Sequence, residues 1–162
     1  ASYVIPNSVS CIDQYAFCGN KNLKNITIGN NVHSIAYYSF VACDSLESVT
    51  IGNSVVNINE SFLRCKNLTN ITVDSANPSY LSDEYGVLFN KDKTVLISYP
   101  VASEITEYTI PASVKTIGDM AFFSCENLKE INFKGTKAQW EAIEKDEVWD
   151  LYMPEYTVNF GA

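Results

Sequence analysis

Seven apolar positions return together along this 162-residue chain at an interval of 23 residues, once shortened by one. That register restricts the fold more than any other feature. One unit reads Ile28, Val32, Ile35, Phe40, Cys43, Leu46 and Val49. The next reads Ile51, Val55, Ile58, Phe62, Cys65, Leu68 and Ile71, with one residue deleted before Phe62. A later unit gives Ile110, Val114, Ile117, Phe122, Cys125, Leu128 and Ile131, and an earlier one runs from Ile5-Pro6 through Val9, Ile12 and Phe17 to Leu23 and Ile26. Each unit closes on L-x-x-I-x-I, whose last two apolar residues alternate as in a strand with one buried face. Tyr3-x-Ile5, Ile105-x-x-Tyr108-x-Ile110 and Met153-x-x-Tyr156-x-Val158 read as degenerate copies, which makes about seven rungs.

One such strand cannot bury its apolar side alone, so the units are expected to stack in parallel around one continuous core. In that core Ile26, Val49, Ile71 and Ile131 belong to a single cluster. The V-x-x-I segments form the other wall of each coil. The Ala-Phe stretches are expected as short helical turns that plug the interior with Phe17, Phe40, Phe62 and Phe122. Asn20, Cys43, Cys65 and Cys125 hold one equivalent position, read as buried packing thiols with Asn serving a turning backbone. With five cysteines and no C-x-x-C pair, neither a disulfide framework nor a metal site is indicated. Cys18 is expected to pack beside them and Cys11 to be exposed.

The repeat lapses between Val73 and Ile110. Asp74 to Pro78 reads as a turn. Gly86 to Phe89 and Thr94 to Ile97 flank Asn90-Lys91-Asp92-Lys93, the pattern of a β-hairpin inserted within the array. Beyond Phe133, Thr136-x-x-Gln139 is a capping-box signature. A helix from about Lys137 to Asp146, apolar at Trp140 and Ile143, is expected to cover the last coil. The first coil has no equivalent lid, so the chain reads as a segment of a longer array, and an open first edge permits weak end-to-end association of an otherwise monomeric unit. The organisation expected is one domain over residues 1–162: regular repeats over 1–73, the interrupted repeat over 74–109, a repeat over 110–133 and a cap over 134–162.

A formal net charge of −8 disfavours nucleic acid and anionic lipid as partners. No apolar run reaches the roughly 18 residues a membrane helix needs, and the first residues lack a signal-peptide pattern, which is either missing or removed. The single histidine, His33, sits at a solvent-facing repeat position with no nucleophile or carboxylate at triad spacing. The carboxylate pairs Asp83/Glu84, Glu104/Glu107 and Glu141/Glu144 read as solvated surface charge rather than glycosidase pairs. Asp74 to Asp83 lacks calcium-loop spacing. No P-loop or dinucleotide fingerprint occurs, so no cofactor, metal or catalytic residue is assigned. The sequons at Asn25, Asn59, Asn67 and Asn70 matter only in a glycosylating host.

The outward strand positions carry the functional expectation. Thr27, Thr50, Thr72 and Thr109 should lie one above another, about 4.8 Å apart. Asn25, Ser48, Asn70 and Glu107 flank them, and Glu130 and Asn132 lie on a further rung. Individually these residues suit a solubilising ladder. Together they form a flat polar face able to contact a partner. Tyr37, Tyr38 and the hairpin tip Asn90 to Lys93 are secondary candidates.

The pattern I-P-x-S-V-x-x-I-x-x-x-A-F-x-x-C-x-x-L-x-x-I, most complete from Ile110 to Cys125, resembles the BspA-type leucine-rich repeat. The stretch from Asn77-Pro78 to Tyr99-Pro100 is similar to the family's hairpin insert, and Gly135-Thr136-x-x-Gln139-Trp140-x-x-Ile143 to its closing segment. Gly29 and Gly52 stand where the family often has Pro, Asn20 at a Cys position, and Tyr85 where Asp is commoner before Gly. The resemblance implies an α/β solenoid: a right-handed leucine-rich-repeat superhelix with a mainly parallel sheet, short helical turns, a hairpin insert and a C-terminal capping helix. It implies secreted or cell-surface bacterial proteins with non-catalytic adhesive roles towards a protein or glycan. A structural spacer, or a substrate-binding module attached to a secreted hydrolase, are the alternatives.

Overall fold

The computed structural model describes residues 1–161. The first half carries β1 (Ser2–Val4), β2 (Cys11–Ile12), β3 (Asn25–Ile28), β4 (Ser34–Ile35), β5 (Ser48–Ile51), β6 (Asn57–Ile58) and β7 (Asn70–Val73). β1, β3, β5 and β7 form one parallel sheet, in the register Ile26–Val49–Ile71 expected from the repeat. β2, β4 and β6 form a second, narrower parallel sheet from the V-x-x-I segments. In β3 and β5 the β-branched isoleucines and valine point inward while Thr27 and Thr50 face solvent, which is the period-2 alternation of the sequence made physical. Ile26, Val49 and Ile71 are each at most 1% exposed, and burying each side chain stabilises the fold by roughly 1.5–3 kcal/mol.

The interrupted repeat contributes β8 (Tyr80–Ser82), β9 (Leu88–Asn90) and β10 (Val95–Ser98). β9 and β10 are the expected hairpin, closed by Asn90, whose Oδ1 accepts from the N–H groups of Thr94 and Val95 at 2.9 and 2.8 Å. β8 is an addition to the expectation and pairs antiparallel with β9. The insert belongs to the coil stack, because β10 pairs parallel with β12 (Thr116–Ile117), the V-x-x-I strand of the next coil. β11 (Glu107–Ile110) and β13 (Glu130–Phe133) precede α1 (Lys137–Glu141), the single helix among the described residues, and β14 (Thr157–Phe160) follows it.

Several expectations are corrected. The core is two clusters: Ile26, Val49 and Ile71 lie in one, and Ile131 lies in the other with Tyr108, Phe122 and Phe133. The strand faces divide likewise, into β1–β3–β5–β7 and β11–β13–β14. The cause is the insert. Between β7 and β11 the chain runs through Asp83 to Val87, Gly86 O accepts from Ile71 N at 3.3 Å, and Tyr108 Oη donates to Asp83 Oδ2 at 2.6 Å. Asp83 is therefore structural rather than a solvated charge. Leu88 packs into the first cluster while Val87 and Phe89 pack into the second.

The Ala-Phe stretches are turns rather than helices. Tyr15, Tyr38 and Met120, two residues before the phenylalanines, and Ala42, Arg64 and Ser124, one before the cysteines, have φ between +52 and +60°. Left-handed residues at both places interrupt any right-handed helix. Their neighbours bond the adjacent coil instead, Phe17 N to Ser39 O at 2.8 Å and Phe40 N to Ser61 O at 3.0 Å. The rings still plug the interior in stacks: Phe17 on Phe40 at 5.0 Å, Phe40 on Phe62 at 5.5 Å, and separately Tyr99 on Phe122 at 5.2 Å.

The capping box forms as the sequence indicates, with Thr136 and Gln139 exchanging bonds of 2.8 and 3.2 Å. The helix stops at Glu141, short of Asp146, because Ile143 and Glu144 turn in to continue the opposite wall, where Ile117 N donates to Glu144 O at 2.8 Å. Nor does it close the stack, since β14 adds a further parallel strand. There Val158, rather than Tyr156, lies opposite Ile131.

Candidate functional site

The polar face is built by strands whose inward residues are locked in the core. On the first sheet Asn25–Ser48–Asn70 and Thr27–Thr50–Thr72 are adjacent in register. Ser48 Oγ donates to Asn25 Oδ1 at 2.7 Å, Asn25 Nδ2 donates to Ser2 Oγ at 3.1 Å, and Asn70 Nδ2 donates to Thr72 Oγ1 at 2.9 Å. A shallow groove of about 470 Å³ runs past the three threonines towards Asp74. This patch offers hydroxyls and amides without formal charge.

Thr109 leaves that ladder. It pairs with Asn132 on the second sheet, and the Asp83 to Val87 segment lies between the two sheets. The remaining candidates are brought together there: Glu107 lies opposite Glu130, with Thr109 opposite Asn132 and Asn159 beyond. Like charges across adjacent strands are unfavourable. Amides answer them, since Asn132 Nδ2 donates to Glu107 and Asn159 Nδ2 donates to Asn132 Oδ1 at 2.9 Å. Asn132 is buried by these contacts. The ten expected residues thus make two patches of different character, one neutral and one acidic.

The other candidates fall as follows. His33 is exposed. Cys43, Cys65 and Cys125 are buried, and burial pushes all three thiols up. Cys43 and Cys65 donate to the carbonyls of Phe17 and Phe40, at 3.0 and 3.1 Å. Asn20 at the same position accepts from the N–H groups of Asn22 and Leu23, both at 3.0 Å. Cys11 is exposed as expected, but so is Cys18, which points away from the core. Among the described residues no group of three or more His, Cys, Asp or Glu side chains could hold a metal. No helix among them is long and apolar enough to cross a membrane. Tyr37, partly exposed Tyr38 and Tyr15 form an aromatic patch, Tyr15 stacking on Tyr38 at 5.7 Å. A groove of about 780 Å³ lies at the turns of successive coils and is missing from the sequence reading. The signal for it was present in the lapse of the repeat at Val101 to Glu104, where Ala102 stands at the Cys position three residues before Ile105.

The comparisons agree with this geometry. A sequence profile described as "BspA type Leucine rich repeat region" matches six copies over residues 1–85 and 99–149. A search of curated proteins returns no match. Among solved structures, the chain is similar to a leucine-rich repeat protein from Eubacterium ventriosum, with 25% identity and a TM-score of 0.53 over 80% of this chain and 46% of that one. It is similar in fold to the pneumococcal vaccine antigen PcpA, with 23% identity and a TM-score of 0.59 over 82% and 44%. A leucine-rich repeat protein of T. pallidum gives 20% identity and a TM-score of 0.55 over 81% and 57%. The chain thus spans about half the length of each of these proteins. With the profile matching most of its length and the coils stacking as that repeat requires, the chain belongs to the BspA-type leucine-rich repeat family.

Proposed function

We propose that this chain is a non-catalytic, extracellular binding module that contacts a protein or glycan through the exposed face of its parallel sheets. The observation that carries this reading is the in-register array of Asn25, Ser48, Asn70, Thr27, Thr50 and Thr72, held on strands whose alternate residues are buried. Such a face is rigid before binding, which reduces the ordering cost of association. Contact is multivalent, with neutral donors and acceptors on the first sheet and carboxylates at Glu107 and Glu130 on the second. The experiment is a screen of the folded chain against glycan arrays and matrix proteins. It is repeated with Thr27, Thr50, Thr72 and Thr109 changed to Lys and with Glu107 and Glu130 changed to Lys. Loss of binding with an unchanged circular dichroism spectrum supports the face; unchanged affinity overturns it.

One observation favours a second reading, a spacer that presents another domain. The amides of Asn25, Asn70, Asn132 and Asn159 already have partners within the face, so the face is satisfied without a ligand. A folded chain that binds nothing in either screen supports the spacer.

A further inference from the structure

The stack is interrupted at one place in several ways at once. The aromatic stack runs Phe17–Phe40–Phe62 and restarts at Tyr99–Phe122. Amide bonds between coils run from Phe40 to Ser61 and from Ala42 to Leu63, then resume from Tyr99 to Ala121 and from Ser124 to Leu151. Among the described residues no corresponding bond leaves Phe62 N or Arg64 N. At the turn edge this junction opens into the groove of about 780 Å³. It is lined by Val101 and Ala102, by Arg64 and Lys66, and by Phe123 and Tyr152.

The chemistry of the walls is specific. Arg64 is the chain's single arginine. Its guanidinium lies 5.8 Å from the centre of the Phe123 ring, and among the described residues it has no carboxylate partner. Tyr152 packs edge-on against Phe123 at 5.4 Å and is 67% exposed. Arg64, Ser124 and Tyr152 all have positive φ, at 58, 53 and 63°, so the turns that carry them are fixed by the coil geometry. Lys66 reaches Asp44 only at 3.9 Å, an exposed pair of little strength. Asp44, Glu104, Glu126 and Asn127 also line the groove, so its two cations stand among three carboxylates.

We propose that this groove binds an oligosaccharide bearing a single sugar carboxylate. Arg64 takes the carboxylate, which its planar fork matches in geometry, with Lys66 beside it. The exposed ring of Tyr152 and the Phe123 ring offer apolar surface to the C–H face of a pyranose. Glu104, Glu126 and Asn127 accept or donate to its hydroxyls. An acidic peptide or a nucleic acid fits less well, because repeated negative charges meet Asp44, Glu104, Glu126 and a molecule of net charge −8. A neutral glycan leaves the guanidinium without an acceptor. The groove volume is within the range of small-ligand sites.

The test is titration of the isotope-labelled chain with 3′-sialyllactose and with a glucuronate-containing disaccharide, against lactose and a Glu-rich peptide. The expected result is that at least one acidic sugar shifts the amides of Arg64, Ala102, Ser124 and Tyr152, while lactose and the peptide do not. Arg64→Gln and Tyr152→Ala are each expected to weaken that binding about tenfold, and Lys134→Gln, an exposed side chain outside both the groove and the polar face, to leave it unchanged. Both wall side chains are exposed, and circular dichroism verifies the fold of each variant. No shift with either acidic sugar at millimolar concentration, equal response to lactose, preference for the peptide, or full binding by folded Arg64→Gln overturns the proposal.

Discussion

At the residue scale, a few side chains decide how the insert joins the coils. Asn77 is fully buried, and all of its hydrogen-bonding groups are used: Nδ2 donates to Gly52 O and Val55 O at 2.8 and 2.9 Å, and Oδ1 accepts from Ser79 N and Tyr80 N, both at 2.8 Å. Asn77→Ala leaves two buried carbonyls and two part-buried N–H groups short of a partner, and is expected to lower the unfolding free energy in urea by about 2–4 kcal/mol. Gly86 has φ +74°, and a Cβ there would lie 3.0 Å from Asn70 Cα and Ile71 N. Gly86→Ala is expected to cost about 1–3 kcal/mol in the same measurement. The thiols give a chemical readout. Because Cys43, Cys65 and Cys125 are buried and their thiols are pushed up by that burial, only Cys11 and Cys18 should react with a disulfide reagent in the native chain, and all five in denaturant. Reaction of more than two native thiols would contradict the packing described.

At the element scale, the sequence was most legible where local chemistry and long-range packing agree. The capping box at Thr136 and Gln139 formed as read, and Thr136→Ala should cost about 1 kcal/mol in urea denaturation. The helix length was not legible, because the stop at Glu141 is set by the pairing of Glu144 with the coil before it. β8 was missed for a similar reason: Tyr80-Leu81-Ser82 carries no alternation, and only β9 makes it a strand. The edge of β6 carries a pH response. Burial raises the Glu60 carboxyl and Asp119 adds to it; burial raises Asp119 and Asp146 adds to that. An acid raised in the folded state holds its proton where the unfolded chain has lost it, so stability falls as pH rises above the ordinary carboxylate value of about 4.3. Glu60→Gln should flatten that decline in melting temperature across the acidic range. An unchanged slope would show that the carboxylate is indifferent to folding.

At the scale of the whole molecule, the repeat register made the parallel coils legible, but not their division. Ile131 keeps its place in the motif and still lies in a second core, because the segment inserted after Val73 takes the position between β7 and β11. What fixes it there is the Tyr108–Asp83 bond, spanning 25 residues, and no local pattern signals it. The same division moved Thr109 off the threonine ladder and opened the groove beside Arg64, while the outward identity of the ten face residues followed from strand alternation. The account rests on two parallel stacks joined through the insert. Its most direct test is the pattern of backbone nuclear Overhauser contacts in solution. The expected result is parallel contacts along Asn25–Ser48–Asn70 and Glu107–Glu130–Thr157, with Ile71 reaching Gly86. Direct strand contacts between Ile71 and Tyr108, or antiparallel contacts within either stack, would contradict it.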